Sequence, residues 1–162
     1  MHDTSFSVRP ATRVDADALG RLGASLVALH HGFDAQRFMP PNSGTANGYG
    51  SYLSSQIADA DTIVLVAEQA GQVVGYVYGT IEGVDYMALR GPAAVLHDVI
   101  VAPEVRHAGV GRALVRAILE AFTARQAPRV VLSTAARNET ARAFFEGLGF
   151  RPTMVELTRE LP

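Results

Sequence analysis

The stretch "VRHAGVGRALVRAIL", residues 105–119, decides how this chain is interpreted. Its second half repeats apolar residues at helical spacing, which predicts a helix from Val110 to about Arg125 with Leu114, Ile118 and Phe122 as its buried stripe. Its first half places two glycines and two arginines just before and inside the helix start: Arg106, His107, Ala108, Gly109, Val110, Gly111 and Arg112. A glycine inside a helix costs about 1 kcal/mol relative to alanine, so glycines at this point need a compensating role.

An anion-binding site would supply that role. The first N–H groups of a helix have no partner within the helix and carry partial positive charge. Glycine permits the backbone angles of a cradle and lets a phosphate approach without meeting a Cβ atom, and the flanking arginines add cationic charge. The residues therefore favour a pyrophosphate site, although a tight strand-to-helix turn that uses glycine only for close packing would show the same spacing.

Two familiar phosphate loops do not fit this stretch. A Walker loop needs lysine, and the chain contains none, so a lysine Schiff base is excluded as well. A dinucleotide-binding fingerprint needs a third glycine at the position that Leu114 occupies.

Composition predicts one domain over residues 1–162. The chain is 48% hydrophobic, has a formal net charge of −2 and contains no cysteine. These values argue against disulfides, a thiolate metal site and a surface that coats nucleic acid. No apolar run is long enough to span a bilayer and no signal-peptide core is visible, so we expect a cytoplasmic protein that binds neither nucleic acid nor membranes.

The hydrophobic pattern predicts an α/β protein whose mixed sheet is flanked by helices. The loop between the first two helices is dense in Gly, Pro and Asn, and the dipeptide Ala70-Gly71 predicts a hairpin turn. The predicted elements are a strand (6–12), a helix (13–31), a loop (32–50), a helix (51–60), a hairpin (61–83), a strand (93–103), the helix at 110–125, a strand (129–135), a helix (138–150) and a final strand (151–161).

Two motifs in this order resemble the GCN5-related N-acetyltransferase (GNAT) family. The pattern Arg106-x-x-Gly109-x-Gly111 after "LHDVIVAP" is similar to the family's acetyl-CoA-binding signature, and "NETARAFFEGLGFRP" is similar to its other late motif. The resemblance implies a mostly antiparallel sheet that splays open between the strands "AVLHDVIV" and "RVVLSTA". It also implies transfer of an acetyl group from acetyl-CoA to a primary amine by direct attack in a ternary complex, without a metal.

The same resemblance implies which residues bind acetyl-CoA. The pantetheine arm would pair with the strand backbone, N–H groups from His107 to Arg112 would hold the pyrophosphate, and Asn138 would bond the pantetheine or an ordered water. Asn138 also suits the N-cap of the helix that it opens, and the two roles are compatible. The implied set is Val99, Ile100, Val101, Arg106, His107, Ala108, Gly109, Val110, Gly111, Arg112, Asn138 and Phe145.

The catalytic residues implied are His97 and Asp98, which stand where the family often has a glutamate or histidine base. A histidine titrates near neutral pH and can take the amine proton directly or through water. Strict strand alternation would put the two side chains on opposite faces, whereas a bulge would change that. The family often has a tyrosine acid where this chain has Phe145, so the leaving thiolate would depart without a protein acid or take its proton from Tyr76, Tyr78 or Tyr86.

The acceptor amine is expected near two segments, the loop after the first helix and "IEGVDYMALRG". Their carboxylates could attract a cationic amine, although each residue there also suits a plain solvated loop. The candidate substrate residues are His31, Phe33, Asp34, Glu82 and Tyr86, with His30, Arg37, Phe38, Met39 and Asp85 beside them. The expected partner is a small-molecule or peptide amine, and a homodimer stays open. Two alternatives are an acyl-CoA-binding sensor without turnover and a protein N-terminal acetyltransferase.

Overall fold

A computed structural model of the protein describes residues 5–162. Its five-stranded sheet has the order β1-β2-β3-β4-β5, in which the first four strands are antiparallel and β5 runs parallel to β4. The predicted mixed, mostly antiparallel sheet is therefore confirmed. The strands are β1 (Ser7–Pro10), β2 (Thr62–Gln69), β3 (Gln72–Glu82), β4 (Ala93–Val101) and β5 (Val130–Leu132).

Helices cover both faces of the sheet. The predicted stripe Leu114, Ile118 and Phe122 is confirmed, because these side chains are at most 1% exposed and pack on one face together with Phe145. The other face packs against the first two helices. The helices are α1 (Ala16–Phe33), α2 (Thr45–Gln56), α3 (Val110–Ala124) and α4 (Glu139–Glu146). No helix within residues 5–162 combines the length and apolar character that crossing a membrane requires.

The β2–β3 hairpin turns where the sequence predicts. Ala70 and Gly71 both have positive φ, at 50° and 75°. Two successive left-handed residues match the right-handed twist of the flanking strands, which is why this dipeptide closes the hairpin.

The prediction of a loop over residues 32–50 is wrong in its last third, because α2 begins at Thr45. Glycine here serves close helix packing. A Cβ atom on Gly20 would lie 2.2 Å from the Ala46 carbonyl oxygen, and one on Gly50 would lie 2.3 Å from that of Ala16. The two helix backbones approach so closely that only glycine fits at these contacts.

The predicted final strand is also wrong. Residues 151–162 form no strand, and every one of them is exposed, with Val155 at 79% and Leu157 at 91%. The alternating pattern specifies which side chains would face a sheet, but a strand also needs a neighbouring strand to accept its hydrogen bonds. This segment instead contacts the loop after α1 through an ion pair between Arg37 and Glu156.

Candidate active site

A bulge in β4 brings His97 and Asp98 to the same face of the sheet. On β3, Tyr78 lies opposite Asp98 and Gly79 lies opposite Leu96, so His97 is the extra residue. The His97 ring stacks on the Tyr78 ring with 5.0 Å between their centroids. Asp98 accepts a hydrogen bond from Tyr76, which precedes Tyr78 by two residues and therefore lies on the same face of β3. Strict alternation therefore fails here, and both predicted catalytic side chains line one cavity.

Two tyrosines hold the Asp98 carboxylate. Its Oδ2 accepts hydrogen bonds from the hydroxyl of Tyr49 at 2.6 Å and from that of Tyr76 at 3.0 Å. Burial, reinforced by the nearby Asp98 charge, raises the pKa of Tyr49 and of Tyr76 well above the usual tyrosine value. Both hydroxyls therefore stay protonated donors at neutral pH. Among the described residues, none hydrogen-bonds to the second carboxylate oxygen of Asp98, Oδ1. This oxygen is therefore available to a ligand.

His97 is oriented by a chain of polar groups. Its Nε2 lies 2.9 Å from Thr80 Oγ1, and that hydroxyl donates to Glu82 Oε1 at 2.9 Å. A hydroxyl has one hydrogen, so Thr80 Oγ1 must accept from His97 Nε2–H. The neutral imidazole then carries its free lone pair on Nδ1. Glu82 is in turn held by Arg90 at 2.8 Å and lies 3.6 Å from His97 Nε2.

Tyr49 is a site residue that the sequence reasoning missed, because it lies in the stretch assigned to the loop. Gly23 on α1 makes room for it: a Cβ atom there would lie 2.2 Å from the Tyr49 ring. Gly20 and Gly23, three residues apart, mark one face of α1 as a close helix contact. That spacing was the available signal for a second helix packed against α1.

We expect Gly23→Ala to displace the Tyr49 ring and break its hydrogen bond to Asp98. The new methyl group would overlap the aromatic ring, so the free energy of unfolding should fall by about 1–3 kcal/mol, as for other overpacked sites. Gly32→Ala is the matched control in the same helix, since a Cβ atom at Gly32 meets nothing within 4 Å. The control should be neutral or stabilising by up to about 1 kcal/mol. Thermal unfolding of both variants measures the difference, and equal stability would contradict the proposed contact.

The sheet splays open beyond the bulge. β5 pairs with β4 only at Ala94, Val95 and Leu96, while β4 continues to Val101. The Ala102 N–H donates to Val74 O on β3 at 2.8 Å. By alternation, the N–H and C=O groups of Val99 and Val101 then point away from β3, toward the open edge.

A short 3-10 turn over Pro103–Val105 separates this edge from the start of α3. Gly109 has φ 84°, which favours glycine, and a Cβ atom there would meet nothing within 4 Å. A Cβ atom on Gly111 would make only an ordinary 3.6 Å contact with Val101. Internal close packing therefore does not explain these glycines. The first helical hydrogen bond runs from Ala113 N–H to Gly109 O at 3.0 Å, so the three N–H groups of residues 110–112 have no acceptor within the helix.

The two predicted arginines take different positions. Arg106 donates from Nε to Val101 O at 3.1 Å, at the end of the open edge. Arg112 is exposed and borders a separate surface groove with Arg116 and Leu148. Between them, His107 also has a positive φ of 67°, and Ala108 is exposed.

A cavity of about 300 Å³ lies between the splayed strands and the first two helices. Asn138, just before α4, and Phe145 within it also line the cavity. Asn138 Oδ1 also accepts from Ala141 N–H at 3.1 Å, so the predicted N-cap is present. The lining residues are Leu26, Val27, Leu29, His30, Phe38, Met39, Tyr49, Leu96, His97, Asp98, Val99, Ile100, Leu132, Ser133, Thr134, Asn138, Ala141 and Phe145.

The tyrosines considered as acids differ in their placement. Tyr76 and Tyr78 are buried, and the Tyr78 hydroxyl lies 3.3 Å from that of Tyr52. Burial raises the pKa of Tyr78 as well. Tyr86 is 78% exposed and does not line the cavity, whereas Tyr49 does.

The candidate acceptor residues separate into two groups. His30, Phe38 and Met39 line the cavity. His31, Phe33 and Asp34 instead organise the loop beside the cavity. His31 Nδ1 lies 2.8 Å from Phe38 O, and the Phe33 carbonyl accepts a hydrogen bond from Arg137. Asp34 Oδ1 accepts hydrogen bonds from the backbone N–H groups of Gln36 and Arg37. These three do not line the cavity, and Glu82 reaches the site through Thr80 and His97.

The protein has a splayed mixed sheet and a glycine-containing helix start near the open strand edge. These two features are typical of an acetyltransferase fold. The chain belongs to the acetyltransferase (GNAT) family, whose model matches residues 30–150. The predicted family is thus confirmed. A comparison with curated protein sequences gives no match.

Solved structures share the fold along nearly the whole chain. A tetramutant of the BH1408 protein from Bacillus halodurans has a TM-score of 0.80 at 23% identity, over 96% of this chain and 99% of that one. A GCN5-related N-acetyltransferase from Ralstonia eutropha has a TM-score of 0.74 at 19% identity, over 97% and 99%. An aminoglycoside acetyltransferase from an uncultured soil metagenomic sample has a TM-score of 0.68 at 18% identity, over 99% of both chains.

Proposed function

We propose that residues 1–162 form a single N-acetyltransferase domain that transfers the acetyl group of acetyl-CoA to a primary amine of a small molecule or peptide. Attack is direct, in a ternary complex. One observation carries the proposal: the open edge of β4 begins beside His97 and Asp98 and ends at Val101, which Gly111 approaches at the start of α3, where the first N–H groups have no helical acceptor. This observation is needed because membership of a family does not by itself specify which reaction a protein catalyses.

The hydrogen-bonding groups of the open edge support acetyl-CoA as the donor. Val99 and Val101 offer backbone donors and acceptors to a pantetheine arm, in the manner of an added strand. The start of α3 offers N–H groups and partial positive charge to the pyrophosphate, and Gly109 has no Cβ atom in the way. Acetyl-CoA would supply the activated acetyl thioester, while the protein binds and orients it.

His97 is the proposed base. Its Nδ1 lone pair takes the proton of the incoming ammonium group, and its Nε2–H stays on Thr80. The Glu82 carboxylate, 3.6 Å from Nε2, stabilises the imidazolium that results. Asp98 Oδ1 attracts the cationic amine and is the second candidate for the base.

Two measurements test this function. Calorimetric titration with CoA measures binding, and release of free thiol from acetyl-CoA with a panel of amines and short peptides measures turnover. Binding with turnover supports the enzyme, and preference for peptide N-termini would identify a protein N-terminal acetyltransferase. Binding without any turnover would instead identify the acyl-CoA sensor, which the non-acidic Phe145 keeps as the second candidate.

The Phe145→Tyr variant asks whether a missing acid limits the reaction. Phe145 lines the cavity and is 6% exposed, with edge-to-face contacts to Phe144 and Phe150. A phenol there could protonate the departing thiolate, so we expect turnover at saturating acetyl-CoA to rise, most at high pH, where water protonates a thiolate least readily. Turnover that is unchanged at every pH would show that another group already serves or that none is needed, since a thiol pKa is only about 8.5.

A further inference from the structure

We propose that the acceptor is a small amine with one positive charge and an apolar body. This inference rests on the proposed function and names the substrate class of the same site. The part of the cavity contributed by α1 and the loop after it is here called the acceptor wall. It consists of Leu26, Val27, Leu29, His30, Phe38 and Met39.

The acceptor wall is apolar apart from the His30 imidazole. His30 is its one titratable member, and its Nδ1 lies 2.9 Å from Leu26 O. The His30 ring also packs edge-to-face against Phe38, with 5.1 Å between centroids. The wall therefore presents mainly carbon to a ligand, with Leu29 at 38% and Met39 at 67% exposure. Exposed carbon of this kind is stabilised when an apolar ligand covers it.

The charge in the cavity suits one ammonium group. Among the described lining residues, Asp98 is the one carboxylate, and its Oδ1 faces no other hydrogen-bond partner. Asp98 lies on β4, whereas the acceptor wall belongs to α1 and the loop after it. An amine bonded near Asp98 and His97 would extend its body toward the wall. A second ammonium on that body would meet apolar carbon without a counter-ion, which is costly.

The size of the cavity points to the same class. About 300 Å³ is at the low end for small-ligand sites, and the acyl arm shares this space with the acceptor. An aminoglycoside or a polyamine is larger, more polar or more highly charged than this wall can accommodate. Fold similarity to an aminoglycoside acetyltransferase therefore does not carry its substrate over to this chain.

The first experiment compares 2-phenylethylamine and hexylamine with putrescine, spermidine and an aminoglycoside. Thiol release at saturating acetyl-CoA gives kcat/KM for each, and calorimetry in the presence of CoA gives each Kd without requiring turnover. We expect the apolar monoamines to exceed the polycations at least tenfold in both quantities. Equal or better binding of the polycations would overturn the inference. A protein that binds the monoamines preferentially but releases no thiol would contradict the proposed function and support the substrate class.

A charge-introducing variant tests the acceptor wall itself. Met39→Glu places a carboxylate on the wall at a largely exposed position, where folding should tolerate it. We expect the affinity ratio of putrescine to hexylamine to rise about tenfold or more, because the second ammonium gains a counter-ion. Val14→Glu adds the same charge at an 88% exposed position outside the cavity lining and should leave the ratio unchanged. The same ratio in both variants would show that the acceptor body does not lie on this wall.

Discussion

Replacing His97 by alanine is expected to lower turnover about 10²–10⁴-fold while acetyl-CoA affinity changes little. The imidazole is oriented by Thr80 so that Nδ1 is free, and its side chain is 36% exposed, so its loss removes the proposed base without opening the core. Steady-state kinetics across pH, together with CoA titration, measure both quantities. Thermal unfolding should show a stability close to that of the unchanged protein.

Asp98→Asn is the comparison that separates the two candidate bases. The amide oxygen can still accept the Tyr49 and Tyr76 hydroxyls, so the variant removes charge and basicity while keeping the hydrogen bonds. We expect a higher KM for the amine, while the acidic limb of the pH–rate profile, on which protonation of the base lowers the rate, is preserved. If His97→Ala leaves the pH–rate profile unchanged and Asp98→Asn abolishes turnover, the base is Asp98.

Gly109→Val is expected to weaken acetyl-CoA binding at least tenfold. At φ 84° a β-branched residue is strained, and its side chain would occupy the space through which the proposed pyrophosphate would approach the start of α3. The protein itself leaves that space open, since a Cβ atom there meets nothing within 4 Å. Calorimetric titration with CoA measures the loss.

Gly71→Val supplies a control for backbone strain. Gly71 has φ 75°, and a Cβ atom there also meets nothing within 4 Å, but it lies in the β2–β3 turn. Both variants should lose comparable stability, and only Gly109→Val should lose affinity for CoA. Normal binding by a folded Gly109→Val protein would refute the pyrophosphate assignment.

Local patterns were enough to predict most of the fold. The three- and four-residue spacing of Leu114, Ile118 and Phe122 predicts a helix with one buried face, and that face is the one packed on the sheet. Gly71 between two β-branched runs predicts the hairpin turn, because glycine adopts positive φ without a steric penalty. In these places the local preference and the tertiary structure agree.

The missed features depend on contacts between distant segments. The glycine-rich stretch before Ser51 has low helix propensity, yet it forms the first half of α2 because Gly50 and Gly20 let two helix backbones meet. The bulge at His97 follows from register with β3, which no local pattern in β4 reveals. Tyr49 could therefore not be placed beside Asp98 from the sequence.

Tyr49 and Tyr76, which hold Asp98, also make the protein its own optical probe. The chain has five tyrosines and no tryptophan, so its ultraviolet emission comes from tyrosine alone. Tyr49 and Tyr76 bond Asp98, Tyr78 stacks on His97, and Tyr52 contacts Tyr78, so four of the five emitters surround the candidate base. Entry of an amine beside Asp98 would perturb these hydroxyls directly. Unlabelled protein should therefore report occupancy of the site through a change in its native fluorescence.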